Sequence, residues 1–144
     1  MGRWSLDIGG WSKRQGKKIA DTKKEFAYLL YSKIVERTPV DTGRARGNWN
    51  VSAGHMDASV SERTEPQIRS VSQMPDALGD ESYFISNNLP YIGTLEYGGY
   101  PENPKGGKGK TVNGFSKQAP KGMVGVTLVE AERYLRRAVN ESGQ

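Results

Sequence analysis

The feature that most constrains this fold is a stripe of apolar residues at helical spacing within residues 17–37. Its members follow one another at intervals of seven, four and four residues: Ile19, Phe26, Leu30 and Ile34. Because an α-helix turns once in about 3.6 residues, this spacing places them on one face and predicts an amphipathic helix. The helix is expected to end at Thr38, because Pro39 disfavours helical geometry in the residue before it.

A second stripe predicts another amphipathic helix over residues 123–140. Its apolar positions alternate in spacing between four and three residues: Val124, Leu128, Ala131, Leu135 and Ala138. Gly125 and the β-branched Val126 and Thr127 weaken the start of this helix, so an extended strand over residues 123–127 is the alternative there. Between the two helices, residues 45–51 and 83–87 have the pattern of short strands, whereas residues 91–98 fit either a helical turn or a bent strand. We therefore expect an α+β fold in which both helices pack on a small, mostly antiparallel sheet.

The 144 residues suit a single domain, which we expect to span residues 17–140. A flexible, glycine-rich arm over residues 1–16 precedes this domain, and a short tail over residues 141–144 follows it. A mean hydropathy of -0.71 predicts a modest core and much surface for solvent or partners. Within the domain, residues 98–118 are expected to form a long flexible loop rich in glycine and lysine, and loops of this length are usually functional or disordered.

Charge is distributed unevenly along the chain. Seven basic residues accompany two acidic ones in residues 1–24, and five accompany one in residues 102–121. Residues 54–81 reverse the balance, with six acidic residues and two basic ones. This pattern fits ordinary solvated surface, and it also fits complementary contacts between subunits or a basic surface near DNA.

The sequence lacks the residue patterns of the common catalytic and cofactor sites. Cysteine is absent and His55 is the only histidine, so thiolate chemistry is excluded and a histidine triad or metal cluster has little to build on. Lys110 lies in a Gly-Lys-Thr run, but Pro104 occupies the first glycine position that a phosphate-binding loop requires. We therefore expect no enzyme activity, no cofactor and no metal site. No apolar run has the length of a signal peptide or a membrane span, which predicts synthesis in a cytoplasm and no membrane partner.

Two separated runs of residues carry a resemblance to a known family. The first run is Arg37-Thr38-Pro39-Val40-Asp41-Thr42-Gly43-Arg44-Ala45-Arg46-Gly47-Asn48-Trp49. The second run is Asn87-Asn88-Leu89-Pro90-Tyr91-Ile92-Gly93-Thr94-Leu95-Glu96-Tyr97-Gly98, followed by residues 116–124. In their order and spacing, these runs resemble the tail-completion or neck proteins of long-tailed bacteriophages, and the resemblance covers about residues 17–138.

The resemblance implies a structural virion protein rather than an enzyme. It implies a homo-oligomeric ring, six-fold by expectation, that completes the tail and joins it to the DNA-filled head. The expected partners are further copies of the chain, the head connector, and the tail-terminator or tail-tube proteins. The expected location is the neck of a virion assembled in the host cytoplasm. One alternative is a non-specific basic DNA-binding protein, and another is a small phage nuclease or wall hydrolase that acts through His55 or the acidic residues of 54–81.

The motif runs also suggest roles for individual residues. Residues 38–44 are expected to form a rigid corner, which either sets the helix-to-strand geometry or contacts a partner directly. Residues 91–98 are expected to lie mainly in the core, with Glu96 pairing with an arginine such as Arg44 or Arg46.

Two further sets of residues are candidates for contacts during assembly. One set is basic: Lys105, Lys108, Lys110, Lys117 and Lys121. In a ring, these lysines would either face genomic DNA in the lumen with salt-dependent attraction, or dock onto the acidic residues 54–81 of another subunit. The second set is Trp4 and Trp11, whose indoles either cover the domain's own core or insert into a neighbouring subunit.

Overall fold

The structure is a computed structural model that describes residues 8–40, 42–99 and 111–142, with side chains described from residue 16 to residue 141 of those ranges. Five helices and four strands occur in it, in this order: α1 Ile8–Arg37, α2 Arg44–Gly47, β1 Asn50–Ala53, β2 Tyr83–Ser86, α3 Ile92–Tyr97, β3 Thr111–Val112, β4 Phe115–Ser116, α4 Val124–Val129 and α5 Ala131–Ser142. A short 3₁₀ turn, Val71–Gln73, lies between β1 and β2. The predicted α+β class is confirmed.

Helix α1 is longer than the sequence pattern predicted. It ends at Arg37, as expected from Pro39, but it begins at Ile8 rather than near residue 17. Part of the expected flexible arm, residues 8–16, is therefore helical. Each glycine in this stretch weakens a helix by about 1 kcal/mol, but no proline interrupts the stretch and an existing helix extends more readily than a new one forms.

The second predicted helix is divided in two at Glu130. Helix α4 ends at Val129 and α5 begins at Ala131. The Glu130 N–H donates to the carbonyl of Thr127 at 3.0 Å, three residues back, instead of continuing the regular four-residue pattern. The Glu130 side chain is meanwhile held by Arg37 of α1 at 2.8 Å. This contact ties the break to the end of α1.

Helix α5 packs against α1 in the antiparallel direction. Leu29 of α1 forms an apolar cluster with Tyr134 and Ala138 of α5. The salt bridge between Arg37 and Glu130 marks one end of this packing. At the other end, the C-terminal part of α5 reaches the level of Glu25, whose carboxyl group is hydrogen-bonded to Glu141.

The larger antiparallel pair is formed by β1 and β2, with Asn50 opposite Ser86 and Ala53 opposite Tyr83. The strand predicted at residues 83–87 is confirmed. The strand predicted at residues 45–51 is wrong over its first part, because residues 44–47 form helix α2. The left-handed conformation of Gly43 (φ 89°) starts that helix, and the Gly47 N–H closes it onto the Gly43 carbonyl at 2.9 Å.

A second antiparallel pair, β3 and β4, lies inside the region predicted as a long loop. Its tight turn contains Asn113 and Gly114, both with positive φ. Both residues tolerate this left-handed geometry better than most, so the turn allows Val112 to pair with Phe115. The expectation of an irregular segment is therefore wrong for residues 111–116.

The main core lies between one face of α1 and the segments that carry the two motif runs. Its buried members come from throughout the chain: Ala27, Tyr31, Ile34, Val35, Ala45, Trp49, Ile68, Met74, Leu89, Leu95, Ala119 and Met123. Val51, Tyr83 and Ile85 of the β1–β2 pair pack against them. Helix α1 thus separates this core from the smaller cluster that it shares with α5.

Candidate functional site

The corner after α1 is built around the buried hydroxyl group of Thr38. This hydroxyl donates to the carbonyl of Ile34 at 2.7 Å and accepts the indole N–H of Trp49 at 2.8 Å. The Thr38 carbonyl accepts the guanidinium Nε–H of Arg46 at 2.7 Å. Because one residue satisfies partners from α1, α2 and the segment before β1, the corner has little freedom to rotate.

The polar segment of residues 61–64 crosses α2, and its backbone passes very close to two glycines there. A Cβ atom on Gly43 would lie 2.5 Å from the Thr64 carbonyl oxygen, and one on Gly47 would lie 2.2 Å from that of Arg63. Only glycine allows this approach at either position. Arg44 also reaches this segment, with its Nη2 atom 3.3 Å from the carboxylate of Glu62.

Two asparagines that sequence reasoning did not single out hold this crossing in place. Buried Asn48 donates to the Ser61 carbonyl at 2.9 Å and accepts the Ser61 N–H at 2.8 Å. Buried Asn50 donates to the Ser59 carbonyl at 2.9 Å and accepts from Arg63 at 3.3 Å. The available signal was the placement of two asparagines on either side of Trp49, because short amides close to a buried aromatic are well placed to bond passing backbone.

Glu96 caps the start of α4 instead of pairing with an arginine. Its carboxylate accepts the backbone N–H groups of Met123 at 2.7 Å, Val124 at 2.7 Å and Gly125 at 2.9 Å. Free N–H groups and the helix dipole make a helix start favourable for a carboxylate. The predicted pairing with an arginine is therefore wrong. Gly122 (φ 80°) makes the arrangement possible, since a Cβ atom there would lie 2.4 Å from the Glu96 carbonyl oxygen.

Arg44 and Arg46, the arginines expected to pair with Glu96, have other partners. Arg44 bonds to Glu62 and to the carbonyl of Ser61. Arg46 bonds to two carbonyl groups at the end of α1, those of Thr38 and Glu36. Their bonds therefore support the corner and the polar crossing.

Two bridges bring the widely separated motif runs together. The side-chain amide of Gln118 accepts the Val40 N–H at 2.7 Å and donates to the Val40 carbonyl at 2.9 Å. The amide of Asn87 donates to the Ala45 carbonyl at 2.9 Å. Both bridges join the segment after α1 to the second motif run, so the two runs form one connected unit.

A third group of polar contacts joins α1 to the break between α4 and α5. Arg37 donates to the Thr127 hydroxyl at 3.0 Å and to the Glu130 carboxylate at 2.8 Å. Tyr134 donates to the other Glu130 oxygen at 2.7 Å. The hydrogen bonds from Tyr134 and Arg37 lower the pKa of Glu130, and burial raises the pKa of the Tyr134 hydroxyl.

The predicted site residues fall into several different environments. Leu95 is buried, but Tyr91 and Tyr97 are exposed, Tyr97 to 83%. The expectation that residues 91–98 lie mainly in the core is thus wrong for the two tyrosines, because α3 has only six residues and turns just one face inward. Lys117 and Lys121 are exposed.

Several of the predicted residues lie outside the described part of the chain: Trp4, Asp41, Lys105, Lys108 and Lys110. Trp11 lies in α1, but its side chain is outside the described set. Residues 1–7 of the expected arm, residues 100–110 of the expected loop and residues 143–144 of the tail are likewise outside it.

Several acidic residues of segment 54–81 form ion pairs with basic residues of the same chain. Three of its carboxylates form ion pairs: Asp76 with Lys24, Glu62 with Arg44, and Glu65 with Arg69. Its single histidine, His55, is exposed, and its carbonyl accepts the Ser52 hydroxyl. Across the described residues, no three acidic, histidine or cysteine side chains are grouped as a metal site would require.

Apolar residues are exposed at several places on the helices, and two of these places are on α1 and along α4 and α5. The first is the α1 overhang, which we define as residues 16–21; all six residues are exposed, and Ile19 is exposed to 67%. The second is the α5 outer row, which we define as Leu128, Leu135 and Val139, with exposures of 55%, 42% and 48%.

Comparisons with protein-family models, curated proteins and solved structures found no match for this chain. Among the helices that the structure describes, none combines the length and the apolar character needed to cross a membrane. The description of the fold and its contacts therefore rests on this chain's own residues.

Proposed function

We propose that this chain is a structural protein of a bacteriophage neck. Copies of it form a homo-oligomeric ring, with six-fold symmetry, that completes the tail and joins it to the DNA-filled head. The observation that carries the proposal is the direct bonding between the two motif runs that resemble this family. Gln118 bonds both backbone groups of Val40, and Asn87 bonds the carbonyl of Ala45.

Residues of the two motif runs stabilise the fold of the subunit itself. Thr38 fixes the corner, Glu96 caps α4, and Gly43 admits a crossing chain. A rigid subunit of this kind suits a ring protein, because each copy must present the same surfaces to its neighbours. Contacts with other copies, with the head connector and with tail-terminator or tail-tube proteins then fall to the outward-facing residues.

Two experiments test the proposal. Disrupting the gene in its phage should produce DNA-filled heads and finished tails that remain separate in electron micrographs, and supplying the wild-type chain should restore joined particles. Cryo-electron microscopy of intact virions should place the chain in a closed ring at the neck. Normal joined particles after gene disruption, or absence of the chain from purified virions, would contradict the proposal.

A second candidate function is non-specific binding of DNA. It is favoured by the exposure of Lys17 and Lys18 on the α1 overhang and of Lys117 and Lys121 near the second motif run. Fluorescence anisotropy with a random duplex should then detect binding that weakens steeply with salt. Binding of the free subunit as tight as that of assembled particles would favour this function over the ring, whereas no binding at low salt would exclude it.

A further inference from the structure

We propose that Asn113 is a site of deamidation, at which the backbone nitrogen of Gly114 attacks the side-chain amide and the β3–β4 hairpin sets the rate. The reaction consumes only water and converts the asparagine into a mixture of aspartate and isoaspartate. The site uses none of the contacts that support the neck role, so it stands or fails independently of the proposed function.

The turn between β3 and β4 carries both reacting groups. Asn113 is exposed and has a φ of 53°, and Gly114 follows it with a φ of 83°. Two central residues with positive φ, enclosed by the paired residues Val112 and Phe115, form a tight primed turn. The ladder ends at that pair, so Asn113 and Gly114 lie in the turn and outside the ladder.

The reaction has two stages. In the first, a bond forms between the Gly114 nitrogen and Cγ of Asn113, and the bond between Cγ and the amide nitrogen breaks. The proton of the Gly114 N–H leaves with that nitrogen as ammonia. In the second stage, the resulting succinimide ring takes up one water molecule. Opening at Cγ gives aspartate, and opening at the backbone carbonyl carbon gives isoaspartate.

Gly114 is the most favourable residue to follow the asparagine. Ring closure brings the next residue close to the asparagine side chain, and a Cβ atom there would crowd the approach. Asn140 provides a comparison within the same chain, because it is also exposed but is followed by Glu141 and lies in α5. We expect conversion at Asn113 to be faster than at Asn140 by about tenfold or more, which equals a difference of about 1.4 kcal/mol in barrier.

The intact turn keeps the reacting atoms apart. A primed turn of this type holds ψ of its first central residue at about 30°. At that angle the Gly114 nitrogen lies nearly opposite Cβ of Asn113 across the Cα–C bond, whereas ring closure needs these two atoms on the same side. The reaction therefore requires the turn to open, and the stability of the hairpin controls the rate.

The hairpin is short enough to open locally. It has two residue pairs, Thr111 with Ser116 and Val112 with Phe115, and an isolated two-stranded hairpin is only marginally stable. Packing adds to its stability, because the Phe115 ring lies against the end of α3, 3.1 Å from where a Cβ atom on Gly98 would be. Local opening of such a segment costs less free energy than global unfolding. The folded subunit therefore undergoes the modification slowly.

Isoaspartate would disrupt the hairpin in which it forms. It lengthens the main chain by one carbon atom, whereas a two-residue primed turn fixes the register of its strands. The pairing of Val112 with Phe115 and the contact of Phe115 with Gly98 would then lose their alignment. The modification thus loosens the segment that follows the helical part of the second motif run.

Ageing the purified full-length chain at mildly alkaline pH tests the site. Peptide mass spectrometry measures the loss of the side-chain amide at each asparagine, and labelling by isoaspartyl methyltransferase detects isoaspartate. We expect Asn113 to convert first, about tenfold or more faster than Asn140. Equal rates at Asn113 and Asn140, or earlier conversion of another asparagine, would overturn the site.

Two comparisons test control of the rate by the hairpin. Phe115→Ala removes the ring that packs on Gly98 and should speed conversion about fivefold, the factor that corresponds to a loss of about 1 kcal/mol in hairpin stability. Leu78→Ala is the matched control, because Leu78 is exposed to 71% and lies outside the hairpin, so the rate should stay unchanged. Unfolding the wild-type chain in urea should speed conversion about tenfold or more. Equal rates in the folded and unfolded wild-type chain would overturn this control, whether or not Phe115→Ala folds.

Hydrogen exchange on the aged chain tests the structural consequence. Chains that contain isoaspartate, separated by ion exchange, should exchange amide hydrogens faster at residues 115–118 than unmodified chains do. Asn113→Asp is the matched control, because it adds the same charge and keeps the normal length of the main chain. Its exchange should match that of the wild type. Equally fast exchange in Asn113→Asp would assign the effect to charge and overturn the role of main-chain length.

Discussion

Removing the carboxylate of Glu96 should be among the most damaging single changes in this chain. In Glu96→Ala, three backbone N–H groups at the start of α4 lose their acceptor. The Gly125 N–H is exposed and can bond to water, but Met123 is completely buried and Val124 is partly buried. The loss therefore leaves two donors without easy access to solvent.

The magnitude follows from the cost of such donors. An unsatisfied buried N–H group costs about 1–3 kcal/mol, and loss of a helix cap typically costs about 1 kcal/mol. We expect Glu96→Ala to lower the free energy of unfolding by about 3 kcal/mol. Glu96→Gln keeps one carbonyl oxygen, which can occupy the Oε1 position that serves both Met123 and Val124. Only the exposed Gly125 N–H then loses its acceptor, so the expected loss is about 1 kcal/mol.

Urea unfolding followed by circular dichroism measures both variants, with Glu132→Gln as the matched control. Glu132 is also a helical glutamate, but its side chain is exposed to 76% and bonds to Arg136 four residues along α5. Its loss should cost no more than about 0.5 kcal/mol. If Glu96→Ala and Glu132→Gln cost the same, the carboxylate does not cap α4 in solution and the reasoning fails.

Two further predictions concern a close approach and a carboxyl pair. Gly122→Ala should lower the free energy of unfolding by more than about 3 kcal/mol, because the new Cβ atom would lie 2.4 Å from a backbone oxygen and the residue would keep an unfavourable φ of 80°. The control Gly79→Ala has only the unfavourable φ of 58°, so it should cost about 1 kcal/mol. Equal losses for the two variants in a urea titration would refute this prediction. Burial, together with Glu141, raises the pKa of Glu25 from 4.5 to about 7, so its contribution to stability is present below pH 4.5 and is lost as the pH rises through about 7. The partly exposed site reduces the expected loss to about 1–2 kcal/mol, and a Glu25→Gln chain that shows the same decline between pH 4.5 and about pH 8 would contradict it.

The sequence predicted best what short-range chemistry controls. The end of α1 follows from Pro39, and β2 follows from a run of β-forming residues bounded by turn formers. The start of α1 was missed because glycines near residues 9 and 16 lower the local preference for helix without forbidding it. Helix propensity gives the free-energy cost of each glycine, but it does not show when the stability of the rest of a long helix exceeds that cost.

The contacts that organise the candidate site are long-range, and one sequence does not reveal them. Glu96 was expected to seek an arginine, because opposite charges attract, yet it caps a helix that starts 28 residues later. The same holds for Gln118, which bonds a backbone 78 residues away. Such partners are set by the tertiary fold, which brings distant segments together. Composition and residue spacing indicate only interactions between residues that are close in sequence.

The α1 overhang has a consequence for the local stability of the long helix. Residues 16–21 are exposed, so their amide hydrogens should exchange with solvent faster than those of the more buried residues 27–35. Gly16 lies in this stretch with open space around it. Gly16→Ala should favour the helical state by about 1 kcal/mol, which corresponds to a factor of about five in its population. This glycine therefore keeps the overhang more weakly helical than the packed part of α1.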